Sequence, residues 1–228
     1  LLGEALAFRA AFYFDLLTIY AKAYNKTTAA TDPGLPLVTS IDVTATTPQR
    51  SSVQVTLDAI IADLKTAETT LPAVASGRAR MNKYAAMGLL ARVYLYMQDY
   101  PQAQIYAEKA LVSPHTLLDY NDFFIIYDMP ISEQNPEVLW HRLPDDVAAI
   151  YYFTYSADLV SQYGPDDLRF QLYATDYGSG EYNVGPPDFG TYGITFPEIY
   201  LIKAEALIRN NKINDAMDVL NLLREKRI

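Results

Sequence analysis

The sequence predicts a mainly α fold of antiparallel helical hairpins, with a loop-rich insert that carries short strands. Apolar residues recur at spacings of three and four in six segments of the chain, which is the helical period. Two pairs of these segments match one another when the sequence is shifted by 113 residues. The stretch between the two pairs, residues 112–196, holds 10 of the 19 tyrosines and 6 of the 10 glycines, a composition typical of loops.

The first helix is predicted at residues 3–24. Glu4, Asp15 and Lys22 share one narrow polar stripe, so we expect the helix to be buried on most of its circumference. Arg9 points away from that stripe, and an unpaired cation among apolar side chains is costly. We therefore expect a carboxylate or carbonyl partner for it. The apolar side chains form two adjacent rows, Ala5, Phe8, Phe12, Leu16, Ile19 and Leu6, Ala10, Tyr13, Leu17, Tyr20.

A polar segment separates the first helix from the second. Residues 25–49 are rich in Thr, Ala, Asp, Pro and Gly, which indicates a long surface excursion with a short extended piece at 35–38. Ser51 and Gln54 stand at the spacing of a capping box. Apolar residues then recur at helical spacing until Pro72, so a second amphipathic helix is predicted over 53–71.

The first helical hairpin is predicted at residues 82–111. Asn82 stands where an N-cap belongs, before a helix that runs to about Met97. Asp99-Tyr100-Pro101 then turns the chain, and a helix continues to Leu111. Its proline falls in the first turn, where the missing N–H costs no hydrogen bond.

The second hairpin is predicted at residues 197–227, with Asn214 as the cap of its second helix. Small residues occupy equivalent places in the two hairpins and let antiparallel helices approach closely, as in tetratricopeptide-type repeats. The shift of 113 residues places alanine on alanine, Ala91 on Ala204 and Ala103 on Ala216.

The insert between the hairpins, residues 112–196, differs from them in composition. Besides its tyrosines it contains 6 of the 9 phenylalanines and the only tryptophan. Residues 137–140 and 150–155 have the character of short strands, whereas the glycines after Tyr177 mark loops. We expect Trp140, which follows Val138-Leu139, to pack in the core rather than to bind a ligand.

Composition excludes several classes of protein. The formal net charge is −9, so the positive surface that nucleic acid requires is absent and no nucleic-acid partner is predicted. With no cysteine there are no disulfides and no thiolate sites. The apolar runs fall short of the roughly 20 residues that a membrane-spanning helix needs. A membrane anchor upstream of Leu1 remains an alternative.

Residues with catalytic or metal-binding patterns are also missing. His115 and His141 lie far apart and in no metal-ligand spacing, and no glycine-rich phosphate loop is present. Asp145-Asp146 and Asp166-Asp167 are adjacent pairs, which rarely converge on one substrate atom. We predict no catalytic residue, no metal ligand and no cofactor. Calcium at Asp119, Asn121 and Asp122 stays a weaker alternative, because that cluster lacks the glycine and glutamate of a calcium loop.

Eight segments taken in chain order form a series that resembles the SusD/RagB family of outer-membrane nutrient-binding lipoproteins of Bacteroidota. The opening Gly3-Glu4-Ala5 with Arg9-Ala10 and Tyr13-Phe14-Asp15-Leu16 looks like the first helix of that family. A match of any one segment is weak evidence by itself. The resemblance rests on the fact that all eight segments follow in the family's order over nearly the whole chain. The other seven segments lie at 32–38, 50–72, 82–95, 119–123, 137–140, 167–170 and 198–227.

The resemblance implies a SusD-like scaffold of tetratricopeptide-like hairpins and a single domain over 1–228, with 1–111 and 197–228 as scaffold and 112–196 as insert. It also implies an extracellular place at the outer membrane, a lipid anchor and a SusC-like TonB-dependent transporter as partner. The chain opens without an initiator Met or a lipidated cysteine, so we expect it to be part of a longer protein.

The candidate binding residues are aromatic residues of the insert with one amide. Rings can stack on the apolar C–H faces of sugars, and binding residues concentrate in loops. We predict that the ligand, an oligosaccharide or a peptide nutrient, is held without chemical change. The candidate residues are Tyr151, Tyr152, Tyr155, Tyr177, Tyr182, Asn183 and Tyr192.

Two other functions remain open at the level of sequence. Grooves between hairpins hold peptides in helical-repeat scaffolds, and the insert would then be merely structural. A hydrolase with unrecognised carboxylates is the third alternative. Some of the aromatic residues could instead pack in the core. Tyr151, Phe153 and Tyr155 occupy alternate positions, as residues on the buried face of a half-buried strand do.

Overall fold

The computed structural model describes residues 1–41, 44, 46, 48–142, 153–176, 178, 180–184 and 190–228. This part of the chain is dominated by helices, as the sequence predicts. It divides into two compact units, the first comprising Leu1–Ala75 and Met81–Val112, the second Ser76–Arg80 and Ser113–Ile228. The arrangement as one domain with an insert at 112–196 stays a prediction.

The first unit contains four long helices and a two-stranded sheet. Helix α1 packs on α2, α2 on α3, and α3 on α4. Their buried residues include Leu17, Leu57 and Leu90, together with the stacked rings of Tyr94 and Tyr106. The elements are α1 (Leu2–Tyr20), β1 (Pro33–Pro36), β2 (Arg50–Ser52), α2 (Val53–Thr70), α3 (Lys83–Tyr96) and α4 (Tyr100–Ala110).

Helix α1 is buried on one side only, which corrects the prediction of burial around most of its circumference. Of the predicted row that includes Ala10 and Leu17, these two residues are buried, whereas Tyr20 is 65% exposed. The buried side of the helix consists of Gly3, Ala7, Ala10, Ala11, Phe14 and Leu17. The neighbouring row lies at the surface, and its Phe12 and Ile19 are 52% and 70% exposed. Periodicity shows which residues share a face, but it does not show whether a second element covers that face.

The prediction of a partner for Arg9 is confirmed. Its guanidinium donates two hydrogen bonds of 2.7 Å to the carboxylate of Asp63 on α2. This bidentate pair adds a fixed geometry to the apolar contact between the two helices. Asp63 in turn raises the pKa of Arg9, chiefly through these hydrogen bonds.

The strands β1 and β2 pair antiparallel and lead directly into α2. The cap of α2 is Ser52, whose hydroxyl accepts from the backbone N–H of Val55, so the cap lies one residue later than the predicted capping box at Ser51. Gly34 in β1 has no room for a side chain, because a Cβ there would come within 2.6 Å of the Ser52 carbonyl oxygen.

Both predicted hairpins are present. Asn82 caps α3 by accepting from the N–H of Ala85, and Asp99 caps α4 ahead of Pro101. The four alanines that the shift of 113 residues aligns are all buried at the contacts within the hairpins, Ala91, Ala103, Ala204 and Ala216. Their lack of bulk lets the paired helices approach closely.

The second unit contains short elements followed by the second hairpin. Its strands pair antiparallel as β3 with β6 and β4 with β5, and Trp140 in β3 is 1% exposed, which confirms its place in the core. The elements are two 3-10 turns (Tyr120–Asp122 and Ile126–Asp128), β3 (Val138–Trp140), α5 (Ala157–Val160), α6 (Leu168–Tyr173), β4 (Ala174–Asp176), β5 (Tyr182–Val184), β6 (Ile194–Thr195), α7 (Phe196–Arg209) and α8 (Ile213–Arg224).

The prediction of Asn214 as the cap of α8 is wrong. The helix begins at Ile213 with Lys212 at the N-cap position, and no side chain accepts from its first turn. The chain enters α8 through Asn211, whose φ of 60° closes the turn after α7. Asparagine is one of the few residues that adopt this left-handed conformation readily.

A buried ion pair connects the end of α8 to the start of β3. The guanidinium of Arg227 donates to the carboxylate of Glu137, and both side chains are less than a tenth exposed. Glu137 also accepts from the N–H of Leu118 at 2.9 Å, and the Arg227 guanidinium lies 3.8 Å from the centre of the Tyr120 ring. Burial raises the pKa of Glu137, and Arg227 opposes that rise.

Replacing a hairpin alanine by leucine tests the close approach of the helices. We expect Ala103→Leu to lower the free energy of unfolding by about 1–3 kcal/mol, because the added methyl groups force the α3–α4 contact apart. Ala62→Leu is the matched control, since Ala62 lies exposed in the interior of α2. Urea unfolding measures both. Equal effects of the two substitutions would show that the α3–α4 contact tolerates bulk.

Replacing one partner of the buried ion pair should lower the free energy of unfolding more than replacing both partners. We expect Arg227→Met to destabilise the protein by about 3–5 kcal/mol, because Glu137 is left buried without its partner. The double variant with Glu137→Gln should be more stable than Arg227→Met alone, since the amide still accepts from Leu118. Additive losses in a double-mutant cycle would contradict the pairing.

Candidate functional site

Four aromatic rings of the second unit pack together and form what we call the ring cluster: Tyr155, Tyr163, Phe170 and Tyr182. Phe170 is its centre, with ring centroids 5.0 Å from Tyr163 and 4.8 Å from Tyr182. Tyr155 lies 6.3 Å from Phe170 and meets Tyr163 edge-on at 6.4 Å. These separations and tilts are those that aromatic pairs prefer.

Backbone pairing sets the positions of these rings. β5 pairs with β4 on one side and, through a bridge between Asn183 and Thr154, with residues 153–155 on the other. The N–H of Tyr155 donates to the Tyr182 carbonyl at 2.8 Å, which brings the two tyrosines into register. Phe170 comes from α6, which runs directly into β4.

Side-chain alternation extends the ring cluster across the strand surface. Phe153 and Tyr155 are two residues apart in the extended segment and therefore share a face. The four rings of the cluster are each half-buried, whereas Phe153 is 60% exposed. Burial raises the pKa of the Tyr155 phenol, with a smaller contribution from Tyr163, so this hydroxyl remains a hydrogen-bond donor at neutral pH.

One charged pair borders the rings. Arg169 precedes Phe170 in α6, and its guanidinium carbon lies 5.7 Å from the centre of the Tyr163 ring. The same guanidinium is held by Asp167, the N-cap of α6, at 2.9 Å and 2.5 Å. The surface therefore offers ring faces with hydroxyls and one paired arginine at the edge, which suits a ligand with both apolar and polar faces.

The structure places the predicted site residues in different surroundings. Tyr155 and Tyr182 meet in the ring cluster. Asn183 follows Tyr182 in β5 and pairs with Thr154. Because side chains alternate along a strand, Asn183 faces the side of β5 opposite to Tyr182. Tyr192 is 51% exposed, and its N–H donates to the Arg142 carbonyl. The remaining predicted residues lie outside the described residues, namely Tyr151, Tyr152 and Tyr177.

Sequence reasoning missed Phe170 and Tyr163, the two rings that join the predicted tyrosines. Tyr163 carries the signal that selected Tyr177, because a glycine, Gly164, follows it in a turn. Phe170 carries none, since it lies in a helix and reaches the strand tyrosines only through tertiary packing. The aromatic content of the insert alone could not have shown which rings meet.

A second surface feature of this unit is the α7–α8 groove. This cavity of about 430 Å³ has aliphatic walls from both helices, among them Leu201 and Met217, which are 52% and 47% exposed. Arg169, Arg224, Arg227 and Tyr120 also line it. A groove with aliphatic walls fits the apolar side chains of an extended peptide better than the flat face of a sugar.

The described residues contain neither a candidate metal centre nor a helix that could span a membrane. Within those residues, histidine, aspartate and glutamate side chains form no group of three that could coordinate a metal ion. In the same part of the chain, none of the helices combines the length and apolar character that crossing a bilayer requires.

Comparison with known proteins identifies relatives at the amino end. Residues 1–95 match a family model named SusD-like, described as starch-binding and associating with the outer membrane. The SusD-like protein P38 of Formosa agariphila is 33% identical over 106 residues, which is 45% of this chain and 18% of that protein.

Solved structures share the fold over nearly the whole chain. A SusD superfamily protein from Bacteroides thetaiotaomicron superposes with a TM-score of 0.83 at 21% identity, covering 99% of this chain and 58% of that one. A SusD-like carbohydrate binding protein from Bacteroides vulgatus gives a TM-score of 0.80 at 23% identity, covering 99% and 54%.

The chain therefore spans a little over half of these solved structures and less than a fifth of the curated relative. Most of the residues that match the family model belong to the first unit, and the structural match covers nearly the whole chain. Residues 1–95 are therefore similar to the SusD-like family, and the chain shares the fold of SusD superfamily proteins over nearly its whole length.

Proposed function

We propose that the protein binds a glycan at the outer membrane, on its extracellular face, and delivers it unchanged to a SusC-like TonB-dependent transporter. The family description, starch-binding and associating with the outer membrane, supports the ligand class and the place. A lipid anchor is part of the proposal and follows from the resemblance to lipoproteins. The observation that carries the proposal for this chain is the ring cluster with the exposed Phe153 beside it.

The chemistry of the ring surface matches that of an oligosaccharide. A pyranose has an apolar C–H face and a rim of hydroxyls. Phe153 can stack on the first, while the phenols of Tyr155 and Tyr182 can hydrogen-bond the second. Capture by such contacts makes and breaks no covalent bond, so it requires no general acid, base or nucleophile.

The expected affinity follows from the number of rings. Each aromatic contact contributes about 0.5–1.5 kcal/mol beyond the area that it buries. Two or three such contacts therefore give a weak and reversible complex. Weak binding is what delivery requires, because a ligand that dissociates slowly would not pass on to a transporter.

Removing the exposed ring tests the site with little risk to the fold. We expect Phe153→Ala to weaken glycan binding by about two- to tenfold, because one stacking contact is lost. Phe124→Ala is the matched control, since Phe124 is 92% exposed in the same unit but outside the ring cluster. Calorimetric titration of the intact protein with its best glycan from an array measures both variants. Equal losses in the two variants, or none in either, would remove the ring cluster as the binding surface.

A peptide ligand in the α7–α8 groove is the second candidate, and the shape of that groove favours it. We expect Leu201→Asp to abolish peptide binding there by placing a charge on an apolar wall. Leu222→Asp is its control, because Leu222 is 50% exposed on α8 but does not line the groove. Fluorescence polarisation with a labelled peptide library tests this. Peptide binding that survives Leu201→Asp would contradict the groove as the site.

A further inference from the structure

The positively charged side chain of Arg169 lies at the edge of the ring cluster. The side chain of Arg169 is 52% exposed, and its guanidinium carbon is 5.7 Å from the centre of the Tyr163 ring. An arginine with free donors in this place would attract carboxylates and sulfates, which it binds in a bidentate manner. Its state of pairing therefore decides which glycans the ring surface accepts.

Asp167 occupies the Nε–Nη2 edge of the Arg169 guanidinium and neutralises its charge. Its carboxylate accepts from Nε of Arg169 at 2.9 Å and from Nη2 at 2.5 Å, which is the bidentate arrangement itself. The Asp167 side chain is 6% exposed, so the pair is fixed from the protein side while the arginine faces solvent. These hydrogen bonds hold the pKa of Asp167 below its usual range, so the carboxylate stays charged at neutral pH.

The rest of the segment adds negative charge. Residues 153–184, which contribute every ring of the cluster, contain five acidic side chains and one basic side chain, Arg169. With Arg169 neutralised by Asp167, the remaining charges are all negative and repel an anionic ligand. Besides Asp167, the acidic residues of this segment are Asp158, Asp166, Asp176 and Glu181.

We propose that the ring cluster selects uncharged oligosaccharides over uronic-acid or sulfated ones, and that Asp167 is the residue that sets this specificity by occupying Arg169. The inference rests on the proposed function, since it names the ligand class of the same surface. It assigns a role to Asp167 beyond its place as the cap of α6.

Asp167→Asn separates these two roles. Asparagine caps helices about as well as aspartate, and its oxygen can still accept from the N–H of Arg169. The amide carries no charge and cannot accept both guanidinium hydrogen bonds, so Arg169 becomes available to an anionic ligand. Asp166→Asn is the matched control, because it removes the same charge from the neighbouring exposed residue, which is not hydrogen-bonded to Arg169 in the described structure.

The experiment uses the intact protein and an array that carries maltohexaose and hexagalacturonate side by side, among other neutral and acidic oligosaccharides. We expect the unaltered protein to prefer the neutral class. Asp167→Asn should improve the ratio of hexagalacturonate to neutral-glycan affinity by about fivefold, the worth of one close charge contact in water. The gain should shrink as the ionic strength rises from about 0.01 to about 0.15 M. It should also disappear in the double variant with Arg169→Gln.

Two results would overturn the inference while leaving the proposed function intact. The first is equal binding of neutral and acidic oligosaccharides by the unaltered protein. The second is the same gain in Asp166→Asn as in Asp167→Asn, which would make the effect one of net charge alone. Absence of binding to every oligosaccharide on the array would instead contradict the proposed function, and the inference with it.

Discussion

The ion pair of Arg227 with Glu137 is the constraint on which the second unit depends. Arg227 lies just after α8, and its guanidinium binds Glu137 and covers the Tyr120 ring. Its backbone carbonyl accepts from the N–H of Leu168 at 2.9 Å, which fixes the start of α6. Because α6 carries Arg169 and Phe170, one residue at the end of the second hairpin positions both the helix of the ring cluster and the segment before β3. If Arg227 and Glu137 were buried apart from each other, each unpaired charge would destabilise the fold. The packing of the second unit must therefore keep these two side chains together.

In the proposed function, the ligand binds where strand pairing and α6 leave aromatic rings accessible at the surface. The strand pairing through Asn183 places Phe153, Tyr155 and Tyr182 on one surface, and α6 supplies the ring that joins them. Packing holds these rings in place before any ligand arrives, which lowers the entropic cost of binding. The Asp167–Arg169 pair lies at the start of the same helix, so we expect affinity and charge selection to derive from adjacent residues.

The helical part of the fold could be predicted from the sequence, because period, caps and breakers are local properties. Asn82 caps the helix that it was expected to cap, and Arg9 has the carboxylate partner that was predicted for it. The exposed face of α1 could not be predicted, since no pattern within one helix shows what covers it. The ring cluster was half predictable for the same reason: the loops near Tyr155 and Tyr182 are visible in the sequence, whereas their contact through Phe170 depends on long-range pairing.

The most direct test of the central claim is to observe which protons of the protein touch the sugar. Intermolecular nuclear Overhauser effects, measured on the intact protein with selectively labelled phenylalanine and tyrosine and its best neutral oligosaccharide, report contacts within about 5 Å of ring hydrogens, the range of stacking. We expect cross-peaks from sugar C–H protons to the rings of Phe153 and Tyr182. Cross-peaks confined to other residues, such as the walls of the α7–α8 groove, would contradict it.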